Sequence, residues 1–221
     1  MQNRDLIVKR HLQNGVVIVD PHTVWIDPSV RIAAGVTIYP NNHICGNSEI
    51  CEGAVLAPNN QISNSVIGER VRVDSSVVVD SEIGSETVVG PYAHIRGGSV
   101  IGCRCRIGNF VELKNACLGE GVKAAHLSYI GDATIGAHTN VGCGVIFCNY
   151  DGKNKYRSFV GEHCFIGSNC NLIAPVRIGD HSFIAAGTTV HRDVLDRRFV
   201  IGRMRQEENA RLAQKYCGRK G

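Results

Sequence analysis

Aliphatic side chains recur every six residues through most of this 221-residue chain. They fall at Ile26, Ile32, Ile38, Ile44, Ile50, Leu56 and Ile62, slip by one to Ile67, and resume at Val73. The series continues through Val78, Ile83, Val89, Ile95, Ile101, Ile107 and Leu113, then Leu118, Ile130, Ile135, Val141 and Phe147. After one long interruption it returns at Val160, Ile166, Leu172, Ile178, Ile184 and Val190. A period of six matches neither the 3.6 of an α-helix nor the alternation of a simple strand. It does match a short strand followed by a corner. Three such units close a triangular coil with the aliphatic residue inward, and coils stack ~4.8 Å apart through backbone hydrogen bonds. The spacing predicts an all-β parallel β-helix of roughly nine or ten turns from Ile26 to about Leu195, a prism ~45 Å long. Gly follows the inward residue twelve times between Gly68 and Gly179. The pattern assigns these glycines to sharp corners that need a permissive backbone.

Two flanks lie outside the period. Residues 3–13, with Leu6, Ile7 and Leu12, read as a short amphipathic helix, and residues 205–217 as a polar terminal helix. The expected organisation is a helix and lead-in over 1–20, the β-helix over 21–195, and a basic tail over 196–221. Aromatic residues make up only 6% of the chain against 25 Gly, which fits a repetitive scaffold better than a conventional core. No apolar run is long enough for a signal peptide or for the ~20 residues of a membrane span, so a cytoplasmic protein without a membrane partner is expected. The ten Cys are then expected to be reduced. Cys45 and Cys51, like Cys164 and Cys170, stand six apart and follow the scaffold rather than a C-x-x-C metal or redox pattern. Of the formal charge of +4, residues 192–221 supply nine Lys or Arg against four acids, leaving the body near −1. Such a tail suits an anionic partner or a solvated helix. With only Phe199 and Tyr216 as aromatics it argues against nucleic acid.

The interruption between Phe147 and Val160 must leave the prism as a loop, and ordered loops on rigid scaffolds often carry function. Asn149, Tyr150, Lys153, Lys155 and Arg157 in it suit phosphate and hydroxyl groups. His126, in Lys123-Ala124-Ala125-His126-Leu127-Ser128-Tyr129, stands where a polar ring replaces the usual corner. Glu112 and Lys114 lie about one coil away, and a carboxylate near an imidazole would orient it as a general base.

Five segments carry a specific resemblance. They are Gly90-Pro91-Tyr92-Ala93-His94-Ile95-Arg96, Gly108-Asn109-Phe110-Val111-Glu112-Leu113-Lys114, Lys123 to Asp132, Cys148-Asn149-Tyr150-Asp151-Gly152, and Ile184-Ala185-Ala186-Gly187-Thr188-Thr189-Val190. They are similar to the acetyltransferase domains of the bacterial bifunctional enzymes that make UDP-N-acetylglucosamine, within the hexapeptide-repeat proteins. The resemblance implies a left-handed coil and a homotrimer with active sites between subunits. It also implies acetyl transfer from acetyl-CoA to the 2-amino group of glucosamine-1-phosphate, with no metal. By position it makes His126 the catalytic base, with Glu112 beside it. Asn149 and Ser168 would orient the amine and stabilise the oxyanion. Arg96, Lys114, Tyr129, Asn140 and Lys155 would hold the sugar phosphate. Cys143, Asn149, Tyr150, Ser168, Ala186 and Arg203 would line the coenzyme path. Cys143 departs from the Ala common in such domains. Nothing before Ile26 resembles the nucleotidyltransferase domain, so uridyltransferase activity is not expected.

Three alternatives stand beside this reading. One is N-acetylation of a different amino sugar. Another is a non-catalytic partner of a separate nucleotidyltransferase. The last is a zinc hydratase on the same scaffold, against which no two of the nine His lie five residues apart.

Overall fold

The computed structural model describes residues 2–217. Helix α1 (Gln2–Gln13) precedes 28 short strands, and α2 (Ala210–Cys217) follows them. Each strand pairs in parallel with its equivalent one coil later, as in Ile44↔Ile62 and Ile166↔Ile184. Two long strands, Arg106–Lys114 and Lys123–Gly131, run round a corner and serve two faces each, so the three faces hold eleven, ten and nine strand positions in about ten turns. The first face begins with Val17–Ile18, the second with Trp25–Ile26 and the third with Arg31–Ile32. Pairing starts at Val17 and ends at Val200, so the coil reaches slightly beyond the expected 21–195 at both ends.

The register explains the irregular steps in the sequence. Ile32 pairs with Ile50 eighteen residues on, Leu56 with Val73 seventeen on, and Val73 with Val89 sixteen on. Each short step removes a corner residue while the inward column persists. The gap between Leu118 and Ile130 is filled by Ala124, fully buried between Ile107 and Val141. Ile44, Ile62, Val78, Ile95, Leu113 and Ile130 form one such column with at most 1% exposure, each burial contributing about 1.5–3 kcal/mol. The interruption appears as a pairing of Ile135 with Val160, twenty-five residues on and seven more than a full coil.

The glycines have a different cause from the one the pattern suggests. Of the twelve that follow inward residues, only Gly90 has a positive φ, at 99°. The left-handed corner positions belong largely to other residues, among them Arg70, Glu86, Tyr92, Phe110 and His138. Ten of the other eleven stack against the next coil so closely that an added Cβ would collide with it, and the eleventh, Gly131, lies under the Tyr129 ring of its own coil. At Gly108 that Cβ would drive into the Ala125 carbonyl and lie 2.6 Å from its carbon. Gly108→Ala is therefore expected to destabilise the protein by about 1–3 kcal/mol, read as a lower urea midpoint.

Helix α1 caps the first coil through Ile7, Val8 and His11, whereas Leu6 and Leu12 are exposed. Arg4 ties it down, its guanidinium 5.1 Å from the Trp25 ring centre and donating to the His22 carbonyl. Helix α2 starts five residues later than expected because Asn209 is its N-cap, Oδ1 accepting from the Leu212 amide at 3.0 Å. The nine described cysteines are free, and burial pushes the thiols of Cys105, Cys164 and Cys170 up. His138, His163 and His181 stack as a ladder on one edge, with centroids 5.0 and 5.1 Å apart, rather than converging on a point. No helix among the described residues is long and apolar enough to cross a membrane.

Candidate active site

Ile107, Ala124, Val141, Ile166 and Ile184 are register partners along the first face. Two residues beyond each stand Asn109, His126, Cys143, Ser168 and Ala186. These five therefore form one column along the edge between the first and second faces, at steps of ~4.8 Å. Backbone bonds fix the stacking: the amides of Gly144, Asn169 and Gly187 donate to the carbonyls of Leu127, Cys143 and Ser168, each at 2.8 Å. The His126 ring is exposed, with Nδ1 2.9 Å from the Asn109 Oδ1. At the far end Arg203 donates from Nη1 to the Ala186 carbonyl at 2.7 Å. Four residues expected on the coenzyme path, Cys143, Ser168, Ala186 and Arg203, thus follow His126 in a continuous line. In the sequence they are separated by up to twenty-five residues.

A second cluster occupies the other edge of the second face. Arg96, Lys114 and Gly131 are register partners there. Arg96 donates to one Glu112 oxygen from Nε at 3.0 Å and from Nη2 at 2.6 Å. The Lys114 ammonium lies 3.6 Å from Asp132 Oδ2. Asp132 is nearly buried and also accepts from the side-chain amides of Asn115, at 2.6 Å, and Asn149. Burial alone would raise its carboxyl; the two amides and the Lys114 charge outweigh that and hold it below the usual carboxylate range.

The seven-residue insertion delivers Lys155 to the same place. Tyr150 and Lys155 form an antiparallel bridge, and Asp151 Oδ1 accepts from the amides of Lys153 and Asn154, both at 2.7 Å. Those backbone bonds hold the Asp151 carboxyl below its ordinary value. Arg157 pins the loop's return, donating to the carbonyls of Ala133 at 3.0 Å and Asn115 at 2.9 Å. Lys155 is exposed, and its ammonium is held below the usual lysine range, first by the adjoining Lys114 and also by Arg96. Three cations thus meet against two carboxylates, Glu112 and Asp132. A third negative group, such as a phosphate, would complete the balance.

Tyr129 lies between the two clusters, packed over Gly131. A Cβ on Gly131 would sit 2.6 Å from the ring's Cζ, so this glycine provides the room for the phenol. Two expected neighbours are elsewhere. Asn140 is on the first face, paired with Lys123 and Phe165. Tyr150 is on the insertion, across the second face from Cys143. His126 and Gly131, Lys114's register partner, are five residues apart along a strand that turns the corner at Leu127, so they stand at opposite edges of the second face, at most ~16 Å apart. The expectation that Glu112 underlies His126 is corrected. Glu112 pairs with Tyr129 and is bound to Arg96, because the continuous strand Arg106–Lys114 sets Asn109 beneath the imidazole. Asp132, Asn109 and Asn115 were not singled out from the sequence as members of the site, whereas Arg157 was named with the loop and serves to pin it. Only the pairing of a buried Asp with Asn149, invisible along the chain, identifies the first of them.

Residues 80–115 and 157–192 match the bacterial transferase hexapeptide family, in its six-repeat form. The coil carries the same repeat on either side of those two segments. The chain is also similar to proteins named bifunctional protein GlmU. It is 45% identical to that of Clostridium beijerinckii over 89% of this chain and 43% of that protein. It is 42% identical to that of Alkaliphilus metalliredigens over 100% of this chain and 48% of that protein. The chain thus spans just under half the length of these curated relatives. A UDP-N-acetylglucosamine acyltransferase from Campylobacter jejuni shares the fold, with a TM-score of 0.63, 17% identity, and coverage of 84% of this chain and 71% of that one.

Proposed function

We propose that the chain is an N-acetyltransferase that moves the acetyl group of acetyl-CoA to the 2-amino group of glucosamine-1-phosphate. The observation that carries the reading is the meeting of Lys155, Lys114 and Arg96 in the coils that also hold His126. The trio would bind the phosphate dianion, which cancels the mutual repulsion that holds the Lys155 pKa down. His126 takes a proton from the amine, and the free amine attacks the thioester carbonyl. The tetrahedral oxyanion then collapses, expelling the coenzyme thiolate, which takes up the proton that the newly bonded nitrogen loses. The thioester arm would lie along Cys143, Ser168 and Ala186, about 14 Å of column below His126, with Arg203 at its end. Asn149 donates to Asp132, which leaves its Oδ1 free to accept from the amine. Ser168 lies two steps below His126 and would face the oxyanion.

A homotrimer with sites between copies belongs to the same reading. The amine and phosphate of glucosamine-1-phosphate sit on adjacent ring carbons, too close together to reach both edges of one face. One copy's His126 edge would meet another copy's cationic edge, with Asn140 and Tyr150 joining across the same seam. The GlmU relatives support acetyl transfer over other uses of the scaffold. The test is release of free thiol from acetyl-CoA, run with glucosamine-1-phosphate, glucosamine and a nucleotide-linked amino sugar. Turnover is expected with the first, and saturation at far lower concentration than with unphosphorylated glucosamine. No turnover with the first at high enzyme concentration sinks the reading, and preference for the third replaces the acceptor.

A further inference from the structure

We propose that Asn109, rather than Glu112, is the positioning residue that fixes the tautomer and orientation of His126. The inference rests on His126 acting as the base. Asn109 and His126 are direct register partners, and Asn109 Oδ1 lies 2.9 Å from the imidazole Nδ1. An amide oxygen only accepts, so this bond keeps the ring proton on Nδ1 and presents the Nε2 lone pair outward. The backbone under Asn109 is fixed on both sides. Gly108 abuts Ala125 with no room for a Cβ, and Phe110, at φ 57°, donates its amide to the Tyr92 carbonyl at 3.1 Å. Glu112 is otherwise engaged, one of its oxygens taking two Arg96 donors. The choice of an amide has a chemical consequence. A carboxylate at this position would favour the imidazolium, whereas Asn orients the ring without adding that charge.

Variants of the full chain separate this inference from the functional reading. Each is assayed for thiol release from about pH 5 to 9, where an imidazole titrates. Long-range proton–nitrogen NMR reports the His126 tautomer. Asn109→Leu is expected to lower kcat by about 10- to 100-fold with KM for the sugar phosphate little changed, and to move the ring toward the Nε2–H tautomer. Asn109→Asp is expected to recover most of kcat but to carry the acid limb of kcat/KM to higher pH. Glu112→Gln is expected to raise KM through Arg96 and to leave that limb where it is. If Glu112→Gln moves the acid limb and the Asn109 variants do not, the inference is overturned. It is equally overturned if Asn109→Leu keeps full kcat while His126→Ala loses it, and the proposed reaction then stands. Equal turnover in wild type and His126→Ala removes the reaction itself. In that case an unchanged tautomer in Asn109→Leu also refutes the contact.

Discussion

Replacing His126 with Ala is expected, on the proposed reaction, to lower kcat for acetyl transfer by about 10²- to 10⁴-fold, the range for removing a general base. KM for either substrate changes little, because the lost interaction develops only as the proton moves. Stability changes by about 0.5 kcal/mol or less, since the ring is exposed and its one hydrogen bond is a surface contact. The coil beneath does not depend on the imidazole. Ala124 holds the inward position, and Ser128 Oγ donates to the carbonyls of His126 at 2.9 Å and Gly142 at 3.1 Å. Steady-state kinetics together with thermal unfolding of the variant check the result. A lost rate accompanied by a large fall in melting temperature would mean that the side chain supports the coil rather than the chemistry.

The period of six predicted the inward column residue by residue, because a coil has one inward position per face and water excludes polar groups from it. That logic also showed where the loop must leave the prism. Two things were hidden. The glycines looked like corner residues, but their cause is the approach of the next coil, a distance between segments about seventeen residues apart that no local pattern reports. The site was hidden for the same reason. Asn109 and Glu112 are both near His126 in a rough count of coils, and only the register Asn109↔His126 and Glu112↔Tyr129 separates them. Asp132 gave no signal because its partners, Lys114, Asn115 and Asn149, come from two neighbouring coils. The resemblance named the residues, while the register sorted them into a column and a cluster on opposite edges.

Asp132→Asn separates the two consequences of that buried carboxylate. The amide keeps the shape but cannot offset the Lys114 charge, and it accepts at only one atom where Asp accepts at two. Both Lys114 and the Asn149 side chain lose their fixed positions, so KM for the sugar phosphate is expected to rise and kcat to fall, together about 10-fold or more. Stability falls by about 1.5–3 kcal/mol at neutral pH, the scale of a buried hydrogen bond to a charged group. This loss depends on pH with a defined sign. The folded carboxyl titrates below its ordinary value, so on acidification the unfolded chain takes up the proton first. The stabilisation is therefore complete above the ordinary value of about 3.9 and disappears as pH falls through the folded one. Urea unfolding of wild type and Asp132→Asn should accordingly diverge at pH 7 and converge in acid below the folded value. A gap that stays constant across that range would assign the loss to packing alone. Convergence would identify the charge on Asp132 as the group that holds Lys114 and Asn149 ready for a phosphate and an amine.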